Sequence, residues 1–280
     1  MNNLKRFLNK EILFCDISPT CYAISIQKEI LKRNIKNKKE HLSYAQHQVK
    51  EKLSYCIYKV DSQLIKTGHG IDPTLQKNKA VNISLASKKL NGLLIYPGET
   101  FSFWHVVGKI SKKAGYKEGR VIVGDKIESG MGGGLCNLAN TIHRLVLHSP
   151  LEITECHYHS DALALDHHRI PMATGTSISY NYMDYRFKNT TPYIIQLCIW
   201  CDDEKLYGEL RSEHAFPWEY HLIEENYHFV KADDKYYQKS KIYREIFDKK
   251  TGKKIDCQLI RDNCSEVMFD YHDIPEELIR

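Results

Sequence analysis

The sequence predicts an α+β fold: a mostly antiparallel sheet, a central helix led by Gly132-Gly133-Gly134-Leu135-Cys136, and one or two further helices. Short alternating apolar stretches such as "LSYCIYKVDS" and "YIIQLCIW", separated by turn residues, carry the strand prediction. Two segments with helical spacing lie among them. A hydrophobic content of 42% and a charged content of 27% over 280 residues describe a soluble globular chain, long enough for one large core or two modest ones.

Along the chain, "CYAISI" reads as a strand and is followed by the basic stretch Lys28 to Lys52. "GHGIDPTLQKNKA" is a turn-rich approach to a helix over "NKAVNISLASKKLNG". There Val81, Leu85, Ala86 and Leu90 can share a face, and Gly92 marks the stop. "LLIYPGETFSFWHVVG" predicts two short strands around Pro97-Gly98. "GRVIVGDKIESG" predicts a hairpin with Gly124-Asp125 at its tip. The helix that follows buries Leu135, Leu138, Ala139, Ile142, Leu145 and Val146, and Ser149-Pro150 ends it. "LEITECHYHS" alternates like a strand. "GTSISYNYMDYRFKNTTPYIIQLCIWCDDEKLYGEL" predicts a long strand, a turn at Asn189 to Pro192, another strand and a hairpin at Asp202-Asp203. The tail folds as a peripheral hairpin around Thr251-Gly252. The expected division is an extension over 1–77, a core over 78–213 and a C-terminal β-hairpin extension over 214–280.

Composition excludes several classes. No apolar run approaches the ~18–20 residues that cross a bilayer. "MNNLKRFLNKEILFCDISP" lacks the apolar core and cleavage site of a secretory signal, so the cytoplasm is the expected location. The nine cysteines show no framework spacing and read as reduced thiols. Cys198 and Cys201 form a CxxC at the end of a strand, which suits neither redox nor zinc chemistry. The net charge of +5 is concentrated in the Lys28–Lys52 stretch, read as a solvated helix or loop. Without interleaved aromatics it does not point to nucleic acid.

The chemistry concentrates at "ESGMGGGLCNLANTIHRLVLHSP". Glycines permit left-handed backbone and close approach of a ligand. The first turn of a helix offers unpaired N–H groups and a positive dipole end. A cysteine there suits nucleophilic attack on a carbonyl, with N–H groups of Gly133 to Cys136 receiving the oxyanion. Gly132, Gly133, Gly134 and Asn137 are therefore candidate anion-binding residues, joined by Glu99 and Trp104 of "PGETFSFW" as a candidate cleft lining. The competing reading has Cys136 packing against the sheet, with the glycine turn cradling a carboxylate or nothing at all. Asn140 and His143 share the face of Cys136, but His143 lies about 10 Å along the axis, too far to serve as its base.

Downstream, "ECHYHSDALALDHHRIP" supplies His157 or His159 as base and Asp161 or Asp166 as orienting acid, with Asp184 a further choice. A cysteine at a helix start, then histidine, then acid, is the chain order of papain-like and transglutaminase-like cores. The same residues His157, His159 and Asp161 suggest zinc through "HYHSD", although Ala162 breaks the HxHxDH signature. No other cofactor is implied. The expected partner is a small or peptide-like ligand.

With "NKAVNI", "PGETFSFW", "GYKEG", "GGGLC", "LHSPL" and "YRFKN" in view, the chain resembles the VanW family, named for an accessory protein of vancomycin-resistance gene clusters. The resemblance covers about half the chain and implies a link to the cell envelope or glycopeptide resistance, a context rather than a reaction. Many relatives carry an export or membrane segment, and none is expected here. The residue after the cysteine, often Gln in relatives, is Asn137, and Gly175 stands where many members carry Asp.

Overall fold

A computed structural model describes residues 12–65, 72–123, 126–158, 161–162, 175–180 and 182–280. Helix α1 (Pro19–Glu40) starts at a Ser-Pro pair: Ser18 accepts the Cys21 N–H and Pro19 occupies the first turn. "CYAISI" is therefore helical, not a strand. Its β-favouring residues follow a strong cap, and the Lys-, Glu- and Leu-containing run behind them carries the helix onward. The chain then runs extended through both central sheets. Thr100 donates to Ser43 O, Ala45 to Thr100 O, Leu94 to His47 O and Val49 to Gly92 O.

Strand β1 (Tyr55–Gln63) precedes helix α2 (Pro73–Leu90), whose cap Asp72 accepts the Thr74 and Leu75 N–H groups. The helix begins at Pro73 rather than Asn78. It buries Ile83, Ala86 and Leu90, with Val81 and Leu85 only half-buried. Strands β2 (Leu93–Ile95) and β3 (Thr100–Ser102) flank the Pro97-Gly98 turn as expected. They do not pair with each other, since the turn sends them into different sheets. A short helix α3 (Phe103–Val107) and the hairpin β4 (Glu118–Val123)–β5 (Lys126–Met131) follow; the hairpin's expected tip, Gly124-Asp125, lies outside the described residues.

Helix α4 (Leu135–Leu147) buries all six residues of its expected apolar stripe. Ser149 terminates it, with its hydroxyl donating to Val146 O and accepting the Leu151 N–H. The remaining strands are β6 (Glu152–Glu155), β7 (Asp161–Ala162), β8 (Arg186–Lys188), β9 (Ile195–Cys201), β10 (Lys205–Ser212), β11 (Trp218–Ala232), β12 (Lys235–Asp248) and β13 (Lys254–Val267). The long strand expected ahead of Lys188 is regular only from Arg186; Thr176, Ser179 and Met183 make isolated bridges.

The sheets run β1-β10-β9-β2, β3-β8-β6 and β11-β12-β13-β7. All pairs are antiparallel except β13–β7. Helix α4 lies across β10 and β1, with Leu145 and Thr141 against Gly208, while α2 lies across β9. The main core joins Ile83, Leu90, Phe101, Phe103, Leu138, Ile142, Phe187 and Leu197, and a smaller cluster around Phe229, Val267 and Ile274 serves the C-terminal sheet. The tail hairpin at Thr251-Gly252 is present and is extended by β11 into a three-stranded antiparallel unit. The described helices give no segment long and apolar enough to cross a membrane.

The motifs that carry the resemblance are joined by buried polar side chains. Asn82 is fully buried, donates to Lys117 O and Gly133 O, and accepts the Lys117 N–H. Asn189, also fully buried, donates to Ile95 O and Tyr193 O, while its backbone pairs with Gly98 N and Glu99 O. Buried amides of this kind are stable only when satisfied, so each fixes the loops it bridges.

Gly133 packs backbone to backbone on Gly119: a Cβ at Gly133 would lie 2.2 Å from Gly119 C. Gly133→Ala should lower stability by about 2 kcal/mol or more, because the clash is with main chain that cannot rotate away. Gly252→Ala, at φ +67° with open space around it, should lose only the left-handed backbone cost of about 1 kcal/mol. Urea unfolding midpoints of the two variants check this difference.

Candidate functional site

The glycine turn is accounted for by packing. Gly132 (φ +77°) and Gly134 (φ +98°) take left-handed backbone, and Gly134 lies against the Lys79 stem. Several N–H groups expected to meet an anion already donate to carbonyls: Gly132 to Lys117 O, Gly133 to Gly130 O and Leu135 to Gly132 O. As an anion cradle, Gly132 and Gly133 are thus committed elsewhere, since a donor paired to backbone is not available to a ligand. Asn137 turns toward β1, where Ser62 donates to its Oδ1 at 3.1 Å.

Cys136 does sit in the first turn of α4. Its Sγ lies 3.8 Å from Ile178 O, and burial pushes the thiol above its ordinary value of 9.0. Enclosure disfavours the thiolate more than the backbone hydrogen bonds around it favour it. Among the described residues no histidine nitrogen is a hydrogen-bond partner of this sulfur. His157 instead gives its Nε2 to Glu155 Oε1 at 2.8 Å, because β6 ends at Glu155 and the expected strand face of His157 is not formed. His159 and Asp166 lie outside the described residues, and so does the side chain of Asp161. The zinc alternative therefore retains, among described residues, only a His157 already bound to a carboxylate. No described group of three His, Cys, Asp or Glu side chains could hold a metal.

The other nominated side chains serve the fold. Glu99 accepts the Tyr96 N–H across the Pro97-Gly98 turn, and the Trp104 indole N–H donates to Met183 O within the core. Asp184, 2% exposed, accepts from Ser102 Oγ, the Trp104 and Tyr185 N–H groups and Arg186 Nε. These four donors leave no room for it to orient a histidine.

Two groups stand out, assembled largely from residues that sequence reasoning did not nominate. The first is a charge network. Arg33 on α1 forms a paired contact with Glu155, 2.8 Å at Nη1, and donates to Tyr182 O. Arg186 binds Asp184, Glu40 and Asn37 and approaches Glu155 at 3.5 Å. Burial alone would raise the Glu155 carboxyl; hydrogen bonds from Arg33 and His157 and the Arg33 charge outweigh it and hold it down at about 2.

The second group lies beside the polar face of α4. His143, fully buried, has Nδ1 2.9 Å from Tyr185 Oη, while no described residue pairs with its Nε2. Burial brings this imidazole down to about 3, so it is neutral at physiological pH. Asn140 Oδ1 accepts the Thr176 N–H at 2.6 Å. The Tyr158 ring lies 6.2 Å from that of His143, and the Arg261 guanidinium stands 4.6 Å over Tyr158. Burial raises the Tyr158 phenol and the Cys156 thiol. Half-buried Arg244 donates to Gln258 Oε1 and Ser149 O, lies over Tyr220 and is close enough to act electrostatically on Tyr185. Burial lowers both guanidiniums. Only Cys136, Asn140 and His143 on one helix face gave a sequence signal for this cluster; its other members come from distant strands.

The architecture, an antiparallel α+β core with a glycine-led helix, defines the class; the comparisons define the family. A family profile described as "VanW like protein" matches residues 78–211. The "Vancomycin B-type resistance protein VanW" of Enterococcus faecalis is 32% identical over 218 residues, 75% of this chain and 76% of that protein. "Uncharacterized protein YoaR" of Bacillus subtilis is 32% identical over 113 residues, 40% of this chain and 36% of that protein, so the chain spans about a third of it. No solved structure matches. The chain belongs to the VanW family.

Two pH windows follow from the site. The unfolded chain binds a proton at His143 below its ordinary 6.5, whereas the folded chain binds it only near 3. Stability from this group is present above pH 6.5 and is lost as pH falls toward 3, by about 1.4 kcal/mol per pH unit at the steepest. Glu155 acts in the same direction from 4.5 down to about 2. Unfolding free energies of His143→Gln should be flatter than wild type between these His143 limits, and those of Glu155→Gln flatter only at the acid end.

Proposed function

We propose that this VanW-family chain is a ligand-binding protein of cell-envelope biology, and that its ligand carries a carboxylate or similar anionic group. The name of the Enterococcus relative supports a role linked to vancomycin resistance. The cytoplasmic side is the proposed location. The observation that carries the binding reading is Arg244. It is half-buried, its acceptors are the neutral Gln258 and Ser149 oxygens, and no described carboxylate lies within 4.0 Å of it. Asp256 acts on it only at longer range, through Gln258. An enclosed cation without a carboxylate in direct contact is costly, and an arriving anion would relieve that cost.

In this reading Arg244 receives the anion, Arg261 adds positive potential beside Tyr158, and His143 and Tyr185 supply neutral hydrogen-bonding groups. Cys136 and Cys156 are half-buried thiols at the edge of the cluster, both raised by burial and so unsuited to attack a carbonyl.

A second reading keeps Cys136 as nucleophile, with His157 or His159 as base and Asp161 or Asp166 as orienting acid, hydrolysing or transferring an acyl group. Its support is the place of Cys136 in the first turn of α4.

Calorimetric titration with short peptides, each paired with its C-terminal amide, tests the first reading. The free-carboxylate peptide should bind, the amide at least about tenfold more weakly, and Arg244→Gln should erase the difference. Cys136→Ala should bind as wild type. Equal binding of carboxylate and amide would remove the anion from the proposal.

A further inference from the structure

Helix α1 is attached to the protein by its charged side. Arg33, Asn37 and Glu40 recur at i, i+4 and i+7 and hold Glu155 and Arg186, with Ile26 and Ile30 half-buried along the same side. At 100° per residue, Ile24, Leu31 and Ile35 fall on the face opposite Arg33, and all three are open to solvent at 53%, 60% and 47% exposure. This reverses the usual arrangement, in which the apolar stripe is the face that docks. The stripe extends about 17 Å along the axis, counted from Ile24 to Ile35. Just before the helix, Leu13 and Phe14 are exposed as well, at 69% and 40%.

The flanks of the stripe are basic. Lys28, Lys32 and Lys39 lie along one side of it and Lys38 on the other, and Lys32 pairs with Glu29 on the surface. Three aliphatic side chains with a row of lysines along one edge and Lys38 at the other have the composition of a helix that lies flat in a membrane interface: apolar groups enter the acyl boundary, and ammonium groups meet anionic headgroups. The long lysine stems let both happen at once, because the methylenes bury while the charged ends remain at headgroup level. A second copy of the same helix would bring these lysines against one another, so charge opposes self-pairing.

We propose that the outward face of α1 docks this protein on an anionic lipid surface, with Ile24, Leu31 and Ile35 as the inserted residues and the flanking lysines as the electrostatic contacts. The polar attachment through Arg33, Asn37 and Glu40 sets the depth of the core above the lipid. The apolar stripe is too narrow to span a bilayer, so the contact is peripheral and reversible.

Flotation of the full chain with phosphatidylcholine vesicles, with and without phosphatidylglycerol, tests this. The chain should float with the anionic vesicles and release as salt rises from about 0.05 to about 0.5 M. Leu31→Gln/Ile35→Gln and, separately, Lys28→Gln/Lys38→Gln should each weaken binding about tenfold or more. These side chains face solvent, so both variants should keep the wild-type unfolding midpoint, which separates lost docking from lost folding. The proposal is overturned if the chain does not float, if both vesicle types bind it equally, or if the stripe variant binds as wild type. Flotation failure together with a dimer abolished by Leu31→Gln/Ile35→Gln would assign the face to a second copy instead.

Discussion

Backbone contact between Gly133 and Gly119 is the constraint on which the rest of the central unit depends. Two peptide segments can approach this closely only where neither carries a side chain. Asn82 then closes the contact by bonding Gly133 and both backbone groups of Lys117. Three sequence motifs from a helix, a hairpin and a turn thus meet at one buried amide. The meeting sets where α4 begins, and so which way Cys136, Asn140 and His143 point. A displacement of that start would rotate the polar face of α4 away from Thr176, Tyr158 and Tyr185.

The charge network has a matching role at the other side of the core. Asp184 gathers Ser102, Trp104 and Arg186 behind β8, and Glu155 joins Arg186 to Arg33. Charges enclosed in this way are costly to leave unpaired, so the network specifies one docking position for α1. That position turns the lysine-flanked aliphatic stripe outward. The same bonds that tie the helix to the core therefore determine the surface it presents.

Much of this was legible in the sequence where one periodicity had one cause. The apolar stripe of α4, the β4–β5 pair, the Asp202 hairpin and the Thr251-Gly252 turn follow from local patterns that tertiary contacts reinforce. Helix α1 reads as a strand in sequence because its β-favouring opening outweighs the Ser18-Pro19 start, and because its buried side is polar. The glycine run was legible as a backbone requirement but not as to what approaches it: composition shows that room is needed, not that Gly119 fills it. The pairing of His143 with Tyr185 spans 42 positions and had no local signature. Arg244 and Arg261 lie on strands read only as a peripheral hairpin, so their nearness to α4 was beyond any local pattern.

Taken together, these contacts make "GGGLC" an architectural element whose enclosed cysteine is disfavoured as a thiolate by burial. The rate of alkylation of Cys136 against pH, isolated by comparison with Cys136→Ala, is the most direct measurement of that claim. The account predicts slow modification with a midpoint above the ordinary thiol value of 9.0, because burial opposes the thiolate. A midpoint below that value, with rapid modification near neutral pH, would contradict it and restore Cys136 as a nucleophile.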